Sequence, residues 1–469
     1  MSVKKKSGFI IAPIVFVIVM LLPEINGLPA EGKRCLAVFA AAFVLYLAES
    51  MPAAIVSLAI VPLLVVCKVT DIKSALSGFS STSTYLIVGS FILAAAMEKS
   101  KLGDRVTYFI MQKVGTSAKR ITFGIVLVNI ILALLVPSST ARTAMMLPIC
   151  LNIISQFRGE KKEKTKFGAN LLLTLCCTNS TISAGILTAT ITNPMAVDYL
   201  YEATGKRVTY GEWFVWGFLP ALLLTLIAWA LIQLLLRPEM KELPNGKEYI
   251  SQKVAEQGAP SRDEKKVGII FLMTIVVWAF GEKIGIDSTT TCLLSAVVLC
   301  LPKIGILDWK DCADHISLSV VFICSGGISL GAAMSSTGAS EWMAEKMFDI
   351  LHLEGLSVAA IIILLLIVVQ FMHVFFVGTA TMANVFFPIL IGIANVSNIN
   401  ATWVLIPAAM MLGGYPILMF FNTTPSILCF DTGELGADEF PKFGLILSVI
   451  ACAVYALCIK FYWPLVGMM

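Results

Sequence analysis

The chain reads as an all-α polytopic membrane protein, with 11 transmembrane helices and two re-entrant hairpins arranged as two inverted five-helix repeats. Three observations carry that expectation. Of 469 residues, 58% are apolar and only 14% charged, with a mean hydropathy of +0.88; a soluble domain is about 45–50% apolar and about 25% charged. Apolar runs of spanning length recur along almost the whole chain, and two are too long for one crossing. An ordered set of short signals in the first half returns in the second. The composition excludes a disordered, fibrous or small disulfide-stapled chain, and a net charge of +4 gives no reason to invoke nucleic acid. The 12 cysteines, among them Cys150, Cys176, Cys177, Cys300 and Cys458, sit mostly in apolar runs and read as small buried hydrophobes rather than disulfides or metal ligands.

Lys4, Lys5 and Lys6 precede an apolar run from Phe9 to Leu22. Pro23-Glu24-Ile25 offers no small-residue cleavage site, so this run is the first span, within an N-terminal unit 1–34. Runs at 35–48, 51–67, 80–97, 121–157, 167–192 and 213–236 make a first repeat, 35–236. The stretch 237–266 mixes both signs of charge with Pro238, Pro244 and Pro260, and reads as a cytoplasmic linker with solvated charges. Runs at 267–281, 289–306, 316–334, 356–396, 403–430 and 443–467 make a second repeat, 267–469. One crossing takes about 20 residues. The runs 121–157 and 356–396 are each too long for one crossing and are read as a hairpin that enters and leaves on one side, broken midway by a polar cluster; two full spans in place of each hairpin would leave the loops on the same sides. With the N-terminus inside, 24 Lys and Arg fall in inner segments and 8 in outer ones, the bias that the positive-inside rule requires. The protein then lies in the plasma (inner) membrane with a cytoplasmic N-terminus and an external C-terminus. Hairpin 121–157 opens inward and hairpin 356–396 outward. Lys460, near the end of the last span, snorkels to the interface.

The halves match in order. Ala95-Ala96-Met97 returns as Ala332-Ala333-Met334. Val136-Pro137-Ser138-Ser139-Thr140-Ala141 with Pro148 returns as Phe376-Val377-Gly378-Thr379-Ala380-Thr381 with Pro388. Ile191-Thr192-Asn193-Pro194 returns as Asn422-Thr423-Thr424-Pro425, and Glu212-Trp213 as Glu439-Phe440. All four keep their order at offsets of 227 to 240 residues. Five spans per half is an odd number, so the second half sits upside down relative to the first. Inverted repeats with interrupted segments at matching positions are a transporter signature, because two opposed halves can exchange roles around one midplane site.

At membrane depth, irregular backbone survives only where protein or a water-filled cavity satisfies its polar groups. Ser138-Ser139-Thr140 and Gly378-Thr379-Ala380 sit between the two arms of a long run, so each is a candidate tip. The helix that follows a tip offers free N–H groups and a positive dipole end to an anion. Breaks at Thr192-Asn193-Pro194 and Thr423-Thr424-Pro425 supply the same parts from neighbouring spans. Arg142, four residues after Ser138, is the one strong charge beside a tip. It serves either as a fixed positive charge that faces an anion or replaces a coupling cation, or as a structural Arg held by tip carbonyls. His373 reads as a core residue before it reads as a proton relay. No His-Glu-x-x-His, Gly-x-Ser-x-Gly or Gly-rich nucleotide loop is present, which argues against an enzyme and against ATP-driven transport.

The segment from Val136 to Arg142, followed by Met145-Met146-Leu147-Pro148, resembles the Ser-Asn-Thr tip of the divalent anion/sodium symporter family. Gly78-Phe79 with Tyr85 to Gly89 is similar to that family's fourth-helix opening, and Thr423-Thr424-Pro425 to its Gly-Thr-Pro-Pro-type segment. The resemblance implies 11 spans, two opposed hairpins, a homodimer, and a transport domain that moves like an elevator against a scaffold. It implies substrates among di- and tricarboxylates or sulfate, held by both tips, and two sodium sites. Position by position, the first motif becomes Ser138, Ser139, Thr140 and the second Gly378, Thr379, Ala380, with both asparagines absent. Sodium ligands under this resemblance are Ser138, Ser139 and Thr379. The extension through Arg142 is similar to a sodium-independent exchanger branch, in which basic groups stand in for sodium. Where that branch places a His after the second tip, this chain has Met382.

The expected function is secondary transport of small organic dianions, C4/C5 dicarboxylates or citrate, by exchange and without a cofactor. A sodium-coupled symporter of dicarboxylate, citrate or sulfate, with sodium as coupling ion, is the second reading, and an anion channel the third. Expected partners are the substrate, the lipid bilayer and a second copy of the chain.

Overall fold

The computed structural model describes residues 3–23, 27–158, 164–239, 241–242, 246–350 and 352–469. Among these all regular structure is helical. The first half runs α1 Val3–Leu21, α2 Ala30–Ala48, α3 Ala53–Val66, α4 Thr82–Ser100, α5 Leu102–Val114, α6 Ala118–Leu135, α7 Ser139–Arg158, α8 Lys166–Ser183, α9 Thr192–Thr204 and α10 Tyr210–Leu235. Then follow α11 Gly246–Gln257, α12 Arg262–Phe280, α13 Ser288–Cys300, α14 Leu318–Ser336, α15 Ala339–Ile350, α16 Val358–Met372, α17 Thr379–Val396, α18 Ala401–Gly414, α19 Thr424–Asp431 and α20 Glu439–Leu457. Short helical turns connect some of them.

The helices α2–α10 correspond one to one with α12–α20, and the packing repeats in exchanged pairs. α3 packs on α14 while α13 packs on α4; α9 packs on α18 while α19 packs on α8; α9 meets α17 while α19 meets α7. Such exchange is what a two-fold axis between the halves produces. Among the described residues, seven helices are long and apolar enough to cross a membrane, and α3, α13 and α18 are shorter apolar helices. Depth in the bundle differs sharply. In the apolar stretch of Thr379–Val396, 78% of residues are buried, against 28% in Arg262–Ile284. The outgoing arm of the second hairpin is thus central and α12 peripheral.

Both long runs break where the polar clusters lie. α6 ends at Leu135 because Pro137 has no N–H and pushes Val136 out of helical geometry (φ −112°, ψ 106°). α16 gives way to a 3-10 turn, and Gly378 opens α17 with φ +89° and ψ 135°, a conformation closed to other L-residues.

Several expectations need correction. Thr192-Asn193-Pro194 and Thr424-Pro425 lie in first turns of helices rather than in breaks, and Thr423 is the extended N-cap of the second. Proline is tolerated in a first turn, where its missing N–H is an orphan anyway. The irregular backbone lies upstream, at 184–191 and 415–423. The linker 237–266 contains a helix, α11, packed on α5. Its end is tied down by Arg105, which donates to Glu264 at 2.7 Å and to the Gly258 carbonyl at 3.0 Å. Between the apolar runs, α5 and α15 each bury one apolar face. Cys300 is exposed rather than buried. Lysines 161 and 162 of the inner loop 158–166, and Glu24-Ile25, lie outside the described residues.

Candidate functional site

Four helix N-termini belong to the predicted site residues. Ser139 and Thr140 open α7, Thr379 and Ala380 open α17, Thr192 to Pro194 open α9, and Thr424 and Pro425 open α19. At α7 the Ser138 hydroxyl accepts from the Ala141 N–H at 3.2 Å, and at α19 Thr423 accepts from the Ser426 N–H at 3.2 Å. No side chain caps α9 or α17. Their orphan N–H groups and positive dipole ends suit carboxylate oxygens.

At the first tip Arg142 is fully buried. Its Nε donates to Asn179 Oδ1 at 2.7 Å, Nη1 to the Val136 carbonyl at 2.6 Å, and Nη2 to Ser183 Oγ and to the Ala189 carbonyl at 3.3 Å. One side chain thus joins the tip, the end of α8 and the irregular segment before α9. All four acceptors are neutral, so the buried positive charge is hydrogen-bonded but not cancelled. Asn179 is oriented in turn by donating to the Ser139 carbonyl and to Thr143 Oγ1, both at 2.7 Å.

The second tip is held by a different residue. Asn422 Nδ2 donates to the His373 carbonyl at 2.6 Å and to the Phe376 carbonyl at 3.0 Å, while its Oδ1 accepts from the Met419 N–H at 2.8 Å. Phe376 is the repeat counterpart of Val136, so each tip presents an equivalent carbonyl to a side-chain donor. Met382, the counterpart of Arg142, is buried and apolar, so this tip carries no such charge. His373 is buried, its ring nitrogens 2.9 and 3.1 Å from the carbonyls of Gln370 and Leu412.

Each tip is therefore brought to the break of its own half, and the two pairs meet through α18. A Cβ on Gly413 would lie 2.1 Å from Thr192 Oγ1 and 3.2 Å from Asn193 Oδ1, so no larger residue fits there. Asn193 Nδ2 donates at 2.9 Å to the carbonyls of Ser183 and Ile186. Thr188 Oγ1, Thr192 Oγ1 and Asn193 Oδ1 are buried without a hydrogen-bond partner. Pro137, Ser138, Thr188, Thr190 and Pro194 line a small cavity against α4. On the second side Thr423 is half-buried and Thr424 exposed.

Asn179, Ser183 and Asn422 escaped sequence reasoning, because nothing local marks them as partners of a tip. Asp198 escaped too, although a lone Asp between Val197 and Tyr199 is a visible signal. It is buried in α9; its carboxylate accepts from Thr82 Oγ1 and the Ser83 N–H, both at 2.9 Å, and so caps the positive end of α4. Asp198→Asn removes the charge and one acceptor. A fall of about 1.5–3 kcal/mol in stability is expected, the contribution of a hydrogen bond to a charged group, read as a lower melting temperature in detergent. Unchanged melting would show that the cap contributes nothing.

The profile of the sodium:sulfate symporter transmembrane region matches residues 4–469. The sodium-dependent dicarboxylate transporter SdcS of Staphylococcus saprophyticus is 27% identical over 480 residues, covering 97% of this chain and 91% of its own. A citrate/succinate antiporter of Escherichia coli K12 is 25% identical over 490 residues, 98% of both chains. Among solved structures, MtrF of Neisseria gonorrhoeae aligns with a TM-score of 0.58 at 12% identity, over 97% of this chain and 94% of its own. The YdaH transporter of Alcanivorax borkumensis gives 0.55 at 10% identity, over 84% and 88%. At such identities these two structures speak for the fold alone. A family profile that runs to the last residue, over a helical fold whose halves repeat around paired tips, identifies the chain: it belongs to the sodium:sulfate symporter transmembrane family, the divalent anion/sodium symporters, and is a membrane transporter.

Proposed function

We propose that the protein carries small organic dianions, C4/C5 dicarboxylates or citrate, by counter-exchange. One observation carries this reading: the buried Arg142 guanidinium fills a cage of four neutral oxygens at the first tip, and among the described residues no carboxylate pairs with it. Two carbonyls, an amide oxygen and a hydroxyl would also suit a sodium ion. With the guanidinium there, the site keeps a permanent positive charge that offsets part of the substrate's. The uncapped N-termini of α9 and α17 then meet the carboxylates. The citrate/succinate antiporter among the relatives supports the substrate class and the exchange mode.

In this reading the tips and both broken segments move together as an elevator against the remaining helices, in a homodimer. The N-terminus is cytoplasmic and the C-terminus external, in the plasma (inner) membrane. A second reading, sodium-coupled symport, draws on the unpartnered oxygens of Thr188, Thr192 and Asn193 and on the sodium-dependent relative. Under it, sodium held at Ser138, Ser139 and Thr379 supplies the charge instead.

Thr140→Ala and Thr379→Ala test the tips. Each removes one hydroxyl from a first turn. Losing a hydrogen bond to a charged ligand costs about 1.5–3 kcal/mol, so apparent affinity for a labelled dicarboxylate in proteoliposomes is expected to fall about tenfold or more, with expression unchanged. Wild-type affinity in both variants would remove the tips from the site.

A further inference from the structure

We propose that a cleft far from the transport site, between the start of α6 and the end of α10, binds the headgroup of an anionic phospholipid. The cleft encloses about 630 Å³ and is lined by Ser117, Lys119, Gln233, Leu234, Arg237 and Lys241. Three cations thus converge on one cavity. Among the described residues none of the three has a carboxylate within ion-pair distance. Of the acids beside them in sequence, Glu239 is engaged elsewhere and accepts from the N–H groups of Lys166 and Phe167 at the start of α8. Lys241 is held in place by its main chain: its carbonyl accepts from the Ala118 N–H at 2.9 Å, and Glu242 pairs with Ser117. Lys119 lies in the first turn of α6, where the helix dipole adds positive potential.

The surroundings favour a lipid over a free anion. Leu234 and Leu235, one turn before Arg237, are 64% and 46% exposed. Leu234 lines the cleft itself, so an exposed apolar side chain adjoins the cations at the end of α10, where a span ends and phosphates lie. A phosphodiester with acyl chains meets both features; a soluble phosphate meets one. Three cations favour a net anion over a zwitterion.

The test uses the full-length purified protein. Wild type, the triple variant Lys119→Gln/Arg237→Gln/Lys241→Gln, and a control triple Lys113→Gln/Arg262→Gln/Lys265→Gln are titrated with phosphatidylglycerol, phosphatidylcholine, and inorganic phosphate alone. Bound lipid is counted by native mass spectrometry and stability is read by melting. Phosphatidylglycerol is expected to bind and stabilise the wild type and the control triple. The site triple is expected to lose about tenfold or more in affinity for it, with little response to phosphatidylcholine or phosphate in any variant. Single variants Lys119→Gln and Lys241→Gln, each at an exposed position, are read in parallel and are expected to weaken binding even if the triple does not fold. Equal phosphatidylglycerol affinity in wild type and site variants, an equal loss in the control, or full stabilisation by inorganic phosphate alone would each overturn the proposal.

Discussion

Replacing Arg142 with alanine is expected to abolish transport and to lower stability by about 3–5 kcal/mol. The substitution strands the carbonyls of Val136 and Ala189 and the Asn179 Oδ1, all buried acceptors that Arg142 now satisfies. Hydrogen bonds to a charged group contribute about 1.5–3 kcal/mol each, and the desolvation of the guanidinium offsets part of that sum. The transport defect has a separate cause. Without the charge, a dianion enters a low-dielectric site with only helix dipoles to meet it. Arg142→Lys separates the two effects. It keeps the charge, but a compact ammonium cannot span four oxygens on three different segments as a planar fork does. Melting should recover partly and exchange little. Transport at wild-type rate in Arg142→Ala would reduce Arg142 to a packing residue.

Asn422→Ala is expected to be the next most damaging change. It frees the carbonyls of His373 and Phe376 and the N–H of Met419. Each group left unpaired costs about 1–3 kcal/mol when buried. The consequence falls on the second tip, because these bonds fix the turn that leads into Gly378. Substrate affinity should fall together with stability. Asn422→Asp should be worse than alanine for transport, since it sets a carboxylate against two carbonyls and adds a negative charge beside an anion site. Saturable uptake with unchanged affinity in both variants would show that the second tip needs no such anchor.

How much of this was legible follows from the range of the interactions. The spans and both tips are local features: a run too long for one crossing with a polar cluster in its middle announces its own break. The repeat pairs Val136 with Phe376, and both carbonyls accept a side-chain bond. Arg142 was legible as a side chain held by tip carbonyls, but its distant partners, and Asn422 as the donor at the second tip, were not. Arg142 reaches Asn179, Ser183 and Ala189, 37 to 47 residues away. Asn422 reaches back 46 and 49 residues, and its repeat counterpart is the apolar Ile191. The halves share a backbone plan but use different side chains to lock it, so symmetry in the sequence could not name the lock. The amphipathic helices α5 and α15 were missed for another reason. Their apolar residues recur with helical spacing, at Tyr108 and Met111 for example, without forming a run. In 237–266, charge and proline masked a helix that packs on the distant α5.

Exchange without sodium and symport with it part company in a single uptake experiment. Proteoliposomes are loaded with unlabelled dicarboxylate, and uptake of labelled dicarboxylate is followed at clamped membrane potential, with and without sodium. A potential acts on each net elementary charge moved with about 2.3 kcal/mol per 100 mV, whereas exchange of one dianion for another moves none. An electroneutral exchanger takes up label only when loaded with internal substrate, needs no sodium and ignores the potential. Uptake that requires sodium, needs no internal substrate and accelerates as the interior becomes negative would contradict exchange, and would return the oxygens of Thr188, Thr192 and Asn193 to the coordination of a cation.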